Sequence, residues 1–440
     1  MGALTMRVLV ISQMVFNETN NMGKTLMSYF KGWNPKDIAQ LYFHSFDPTN
    51  TAVCESYYRF SDVDAVKSIG NRKIVGKRFS KQEVHTQEDA KRTDEGLARK
   101  AYVVGERHHA WTVMARDFVW KISNWKNKEL IGWVEEFNPD VFFFAAGDCE
   151  FSYRIAYWFS QKMKKPLVTL CVDDYYIHNR NEGEFLGQWR HRKFMKTALK
   201  TLKQSSIVLT ICDSMKREYE SQYGLKCEVL HTAAQVKQLD FIANPFRVAY
   251  FGNLGYFRDQ QLVSMGKTVA NTRERTGVAE IDVYSGSISS DLISNLTKAN
   301  GVRFNGAISP SEVTERMREC IAVIHTESFD EEKKKQVCFS VSTKIAESLM
   351  YGPCLIAYGP EGIASIDYLK ENNAAYVITR PEDLESGLTE ILTNRELREQ
   401  IVKNARALAL KNHNADVNPR KVRKWLQEVV DKSQNENSTN

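Results

Sequence analysis

No apolar run in this 440-residue chain approaches the roughly 20 residues that a membrane-spanning helix needs. The first apolar stretch, residues 6–11, is too short for the hydrophobic region of a secretory signal and reads instead as a strand. Paired cysteines are missing as well. The eight cysteines are scattered, with no Cys-x-x-Cys and no Cys/His spacing, so neither a zinc site nor a disulfide framework is expected. A reducing cytosol is the simplest setting for such a chain. A strong charge of either sign is lacking too: 60 Lys and Arg against 54 Asp and Glu leave a net +6. That balance favours anionic partners such as nucleotides or lipid headgroups and does not call for nucleic acid. One absent glycine excludes a P-loop. Gly23-Lys24-Thr25 looks like its end, but the motif requires another glycine at position 18, where Glu18 stands.

What the chain does have is a repeated alternation of short apolar runs and amphipathic stretches, the pattern of parallel α/β architecture. Residues 6–12, 38–43, 141–146, 166–172 and 205–210 read as buried strands of a first half. Residues 247–251, 282–284, 301–304, 322–325, 354–358 and 375–378 read as those of a second. The regular pattern lapses at 232–244. The expected fold is therefore α/β, with two Rossmann-like, doubly wound domains facing across a cleft. Their expected extents are residues 1–240 and 241–415, followed by a terminal segment at 416–440. In that segment, residues 419–430 form an amphipathic helix and residues 431–440 are expected to be disordered. Residues 61–94 read as an exposed polar insertion, residues 331–340 as a charged loop, and residues 13–22 as a loop before a helix at 26–32. Asp213 reads as the cap of a helix at 213–223.

The signals converge on residues 322–362. The apolar run at 322–325 ends in polar residues, as a buried strand ends at a crevice. Ser342 or Thr343 is a natural N-cap, its hydroxyl accepting from a first-turn amide. Ile345, Leu349 and Met350 recur at helical spacing and face a core. Gly352-Pro353 stops the helix, with Gly352 suited to a left-handed cap. Free amides and the positive end of the dipole at such an N-terminus suit a phosphate. Lys344 adds positive charge where an anion gains from it, and Glu347, one turn on, reaches a ribose diol. The plain alternative is an exposed i,i+3 ion pair of small energy.

Glu327-Ser328-Phe329-Asp330, Glu347 and Gly352-Pro353 together resemble the donor site of the retaining, family-four type of GT-B glycosyltransferases, the group 1 enzymes of surface polysaccharide synthesis. That family carries Glu, a small residue, Phe and Gly, a second Glu seven residues after the first, and a helix ending in Gly-x-Pro. Here the lysine-rich insert at 331–340 widens the spacing, and Asp330 replaces the glycine. Phe251-Gly252-Asn253-Leu254 followed by Arg258 is similar to the family's first turn of the donor domain, where an Arg and a Lys neutralise the diphosphate. Asn253 stands at the first of these positions and Arg258 at the second. Gly23 matches one of two glycines in a loop of the first domain.

The resemblance implies that Gly23, Gly252, Asn253, Arg258, His325, Ser342, Thr343, Lys344 and Glu347 bind the donor. It implies catalytic roles for Glu327, Arg258 and Lys344, and for Asp173 or Asp174 on the acceptor side. For the aspartates a turn cap is the plain alternative. It further implies a nucleoside diphosphate sugar as co-substrate, no cofactor, no metal, a glycan or lipid-linked glycan acceptor, and a terminal helix crossing back onto the first domain. The basic stretch around Trp189 and Arg190 suits anionic lipid at the inner face of the cell membrane, or an acceptor diphosphate. A solvated helix face is the commoner meaning of such a run. Tyr57, Tyr58 and Arg59 read either as lining of an acceptor cleft or as core. Two rival functions accompany this reading: a nucleotide-sugar epimerase on the same fold, and a non-catalytic nucleotide- or glycan-binding protein.

Overall fold

The computed structural model describes residues 6–17, 21–48, 51–79, 83, 110–174, 185–237, 246–286 and 289–438. It divides into two compact units, one of Met1–Leu230 with Asp416–Asn440 and the other of His231–Ala415. Both are Rossmann-like. Among the described residues, no helix is long and apolar enough to cross a membrane.

The first unit holds β1 (Val8–Ser12), β2 (Ile38–Tyr42), β3 (Ser56–Arg59), β4 (Lys77–Phe79), β5 (Val141–Ala146), β6 (Leu167–Cys171), β7 (Ile207–Thr210) and β8 (Cys227–Val229). Their order is β4-β3-β2-β1-β5-β6-β7-β8, parallel except for β4 on the edge. β1 (VLVIS) and β5 (VFFFAA) are buried at every residue. Continuous apolar runs of this kind belong to strands covered by helices on both faces. The winding proceeds outward from β1 and restarts beside it at β5, which makes their carboxyl ends the switch point.

The helix Asn418–Ser438 packs against this same sheet. Val422, Leu426, Val429 and Val430 are buried in one cluster with Val8, Val141 and Phe143. It also continues to Ser438, within the segment expected to be disordered. One-turn pairs, Gln427 to Asp431 (2.7 Å) and Lys432 to Glu436 (3.8 Å), carry the helix onward. Three other expectations are corrected here. The insertion begins with a helix, Asp62–Gly70, held by a Ser61–Asp64 capping box with Ala65 and Ser68 buried; residues 80–82 and 84–94 lie outside the described residues. Gly23 sits within the helix Asn21–Tyr29 rather than in the loop before it. There a Cβ would lie 2.5 Å from the Val15 carbonyl oxygen, so the preceding loop passes too close for any side chain. Asp213 is the first residue of its helix, and Cys212 occupies the cap position. Tyr57 and Tyr58 are core residues, 0% and 2% exposed.

The second unit holds β9 (Val248–Phe251), β10 (Ile281–Tyr284), β11 (Val302–Gly306), β12 (Ala322–Thr326), β13 (Cys354–Tyr358) and β14 (Tyr376–Ile378). Their order is β11-β10-β9-β12-β13-β14, parallel throughout. The winding runs outward from β9 to β11 and returns to β12 on the other flank of β9, so the switch point lies between β9 and β12. The charged segment after β12 is a helix, Glu331–Val337, rather than a loop. Asp330 caps it by accepting from the Lys333 amide at 3.0 Å, with acids in its first turn and lysines in its last. Gly352 has φ −75°, not a left-handed conformation. Its requirement is steric, because a Cβ there would lie 2.6 Å from the Ser348 carbonyl oxygen.

Leu426 is fully buried in the first unit's core, so Leu426→Ala is expected to lower the stability of that unit by about 2–5 kcal/mol. Denaturant unfolding followed by tryptophan fluorescence measures this. A loss below about 1 kcal/mol would mean that the terminal helix is not part of the core.

Candidate active site

The switch point of the second sheet draws candidate side chains from both of its flanks. After β9 the chain turns through Gly252–Phe257 and enters the helix Arg258–Asn271. The Asn253 carboxamide oxygen accepts from the Gly255 amide at 2.6 Å, and the Tyr250 hydroxyl donates to the Asn253 carbonyl at 2.6 Å. Asn253 is thus committed to shaping its own turn. The Gly252 amide donates to the Tyr284 carbonyl at the end of β10 (3.1 Å). Tyr256 and Phe257 follow with φ of +60° and +61°. Two successive non-glycine residues in the left-handed region are strained. They bring the chain round so that Arg258 opens the helix.

β12, adjacent to β9, ends one residue before Glu327. The Arg258 guanidinium grips this carboxylate with two parallel bonds, Nε to Oε2 at 3.0 Å and Nη2 to Oε1 at 2.8 Å. Such a fork geometry fixes both side chains. Glu327 is 2% exposed and Arg258 15%. The Glu327 amide and the Thr326 hydroxyl both donate to the Tyr358 carbonyl, at 3.0 and 2.8 Å, which anchors this strand end to β13. Gly359 completes the anchor, since a Cβ there would press on Glu327 at 3.1 Å. Burial raises the Glu327 carboxyl above its ordinary range, with Arg258 opposing. Burial also works against the Arg258 charge, but the Glu327 carboxylate outweighs it and holds the guanidinium protonated. Nη1 of Arg258 makes no hydrogen bond among the described residues.

His325 lies on the same strand, buried, with Nε2 2.9 Å from the Ser365 hydroxyl. Burial pushes its imidazole down to about 3, and the Arg258 charge pushes the same way. It is therefore neutral near pH 7, and its 3.8 Å approach to Glu327 is not an ion pair. A cationic role toward phosphate is closed to it.

The helix Thr343–Tyr351 opens as its sequence suggests. The Ser342 hydroxyl accepts from the Lys344 amide at 3.3 Å. The Ile345 amide donates back to the Ser342 carbonyl at 3.0 Å, which tightens this first turn. Lys344 Nζ lies 3.2 Å from Glu347 Oε2, with the side chains 40% and 31% exposed. At that exposure the pair is worth no more than about 1 kcal/mol and is readily exchanged for a ligand. Arg258, Glu327 and His325 thus form one contiguous group, while Ser342, Thr343, Lys344 and Glu347 share one helix turn. No hydrogen bond or ion pair joins the two groups among the described residues.

Gly23, Asp173 and Asp174 belong to the first unit. Asp174 is buried and accepts from the Tyr219 hydroxyl at 3.3 Å, while its amide donates to Asp173 Oδ1 at 2.9 Å. On the basic helix Phe185–Gln204, Trp189 is 51% exposed, whereas Arg190 turns inward to within 4.0 Å of Asp117. Sequence reasoning missed Ser365, forty residues from the histidine it meets, and the strained Tyr256-Phe257 turn. Neither carries a local signal.

The pH dependence of the second unit follows from His325. In the unfolded chain the imidazole takes a proton near 6.5, in the folded chain only near 3. Its contribution is fully present above 6.5 and is lost as pH falls from 6.5 toward 3, at a limiting slope of about 1.4 kcal/mol per pH unit. His325→Gln should flatten that part of the profile in urea unfolding between pH 7 and 4. An unchanged slope would contradict a buried neutral imidazole.

Comparison with known proteins agrees with this architecture. Residues 270–424 match the family described as glycosyl transferase-like. No curated protein matches the sequence. Among solved structures, HepE from Anabaena in complex with UDP superposes with a TM-score of 0.59 at 11% identity, covering 96% of this chain and 100% of that one. Sucrose-phosphate synthase from Thermosynechococcus elongatus gives 0.59 at 9% identity, covering 96% and 99%. WaaG, a glycosyltransferase involved in lipopolysaccharide biosynthesis, gives 0.53 at 13% identity, covering 94% and 98%. The chain has the GT-B fold of these structures, and its residues 270–424 are similar to the glycosyl transferase-like family.

Proposed function

We propose that the chain transfers a sugar, with retention of anomeric configuration, from a UDP-sugar to a glycan or lipid-linked glycan acceptor in surface polysaccharide synthesis, and that it does so without a metal. One observation carries the reading. At the switch point of the second sheet, a guanidinium is locked by a buried carboxylate while one of its donor arms has no hydrogen bond among the described residues. A leaving nucleoside diphosphate gathers negative charge in the transition state, and a cation already fixed in place stabilises that charge without reorganising. Glu327 acts in this scheme by positioning Arg258. Lys344 and Glu347 release each other when the donor arrives, the ammonium turning to phosphate and the carboxylate to the ribose diol. Ser342 and Thr343 open the helix whose amides face the diphosphate. His325 fills and orients the strand end as a neutral group, and Gly252 and Asn253 shape the turn. Asp173 and Asp174 serve the acceptor side.

The choice of uridine rests on HepE, crystallised with UDP and with UDP-glucose. The surface-glycan role rests on WaaG. An exposed Trp189 on a basic helix supports a cytoplasmic location at the inner membrane face.

Arg258→Gln should lower UDP release from a UDP-sugar by about 10²- to 10³-fold and leave the far-UV spectrum intact. Turnover unchanged in this variant would remove Arg258 from the reaction. NMR of the transferred sugar checks the anomeric outcome, and inversion would overturn the retaining assignment. Conversion of the donor sugar with no acceptor present would point to an epimerase instead.

A further inference from the structure

The first unit holds a second concentration of positive charge that the proposed reaction does not use. Three helices, Ala110–Ile122, Glu150–Met163 and Phe185–Gln204, surround a cavity of about 560 Å³. No strand or strand end contributes to its lining. Five cations do: Lys121, Lys126, Arg154, Lys196 and Lys200, and no carboxylate lines it. None of the five makes an ion pair among the described residues. The nearby Glu150 is held by the Thr197 hydroxyl at 2.9 Å and by Lys193 at 3.7 Å.

Arg154 is the decisive member. Its Nε and Nη2 are buried and have no hydrogen-bond partner among the described residues. Buried guanidinium donors are ordinarily satisfied, because leaving them bare forfeits their hydration with nothing in return. Aromatic rings hold two of the lysines in place. Lys126 Nζ sits 5.0 and 5.1 Å from the Trp125 and Trp158 ring centres, and Lys200 Nζ sits 4.3 Å from Tyr157. These two lysines are thus oriented by π-faces rather than by acids. None of these rings is among the exposed apolar side chains, so the feature is a recess and not a membrane wedge.

We infer that this cavity binds a ligand carrying two or more closely spaced phosphates, anchored on the Arg154 guanidinium and surrounded by the lysines. The shared chemistry is the multiply charged phosphate group, whether on a soluble molecule or on a lipid headgroup. The inference goes beyond the proposed transfer reaction and does not depend on it.

Thermal unfolding of the full chain tests it, with inorganic pyrophosphate as the soluble probe and sodium sulfate at equal ionic strength as control. Pyrophosphate should raise the melting temperature of the wild type by about 4 °C, and sulfate by clearly less. Arg154→Met should remove the pyrophosphate shift, while its ligand-free melting temperature is no lower than that of the wild type, because an unsatisfied buried cation has gone. Lys196→Gln/Lys200→Gln, both exposed positions, gives a second reading if Arg154→Met fails to fold. Vesicles of phosphatidylcholine with phosphatidylinositol 4,5-bisphosphate, whose headgroup carries adjacent phosphates, form the lipid arm; binding lost in the same variants assigns the phosphates to a headgroup. No shift with pyrophosphate and no variant-sensitive vesicle binding would overturn the inference, as would a shift equal in sulfate or unchanged in both variants. A UDP-induced shift retained in these variants separates this site from the one in the second unit.

Discussion

The second unit is arranged around one interaction, the Arg258–Glu327 ion pair. A carboxylate that is 2% exposed is tolerable only when an opposite charge meets it with good geometry, because neither group regains its lost hydration otherwise. That requirement reaches well beyond the two side chains. β9 and β12 must be neighbours, the turn after β9 must accept two left-handed residues, and Gly359 must leave room for the Glu327 backbone. It also sets the state of His325, since a buried imidazole beside a guanidinium stays neutral. The strain at Tyr256 and Phe257 is sustained by this surrounding structure, and sustained strain is characteristic of a site whose geometry matters more than its local stability.

The two units handle buried positive charge in opposite ways. Arg258 is matched by an acid from the neighbouring strand, leaving one arm for chemistry. Arg154 has no such acid among the described residues, and two of the lysines around it lean on aromatic rings. The core of the first unit is rich in aromatics. Trp120 and Phe151 stack with ring centres 3.7 Å apart, Tyr153 packs edge-on to Phe144, and the helix Asn418–Ser438 closes the sheet with four apolar residues. Rigid aromatic packing keeps cations fixed at low conformational cost.

Much of the second unit was legible in the residues. β12 and β13 announce themselves by apolar runs, and the Ser342 cap by a hydroxyl before an amphipathic stretch. The helix Glu331–Val337 was legible too, yet misread. Asp330 as cap, acids in the first turn and lysines in the last are ordinary helix signals, but a high density of charge looked like a loop. The tail after Val430 failed for a similar reason: polar composition concealed i,i+4 pairs on a helix whose apolar stripe was already docked. Gly352 shows a different limit. A glycine at a helix end suggests a left-handed cap, but here it answers to the nearness of the Ser348 carbonyl, a distance that no local pattern encodes.

Local order was therefore settled by the chain itself. The alternation of buried strands and amphipathic helices, the cap at Ser342 and the i,i+3 spacing of Lys344 and Glu347 all arise from residues within one or two turns of each other. Tertiary structure decided which charges meet. Arg258 and Glu327 are sixty-nine residues apart, His325 and Ser365 forty; the return of the chain to the free flank of β9 brings the first pair together, and the pairing of β13 with β12 brings the second. It decided as well that Arg154 meets no acid among the described residues. Periodicity reports which face of an element is apolar, but the partner of a buried charge depends on which elements become neighbours, and that is a property of the whole winding.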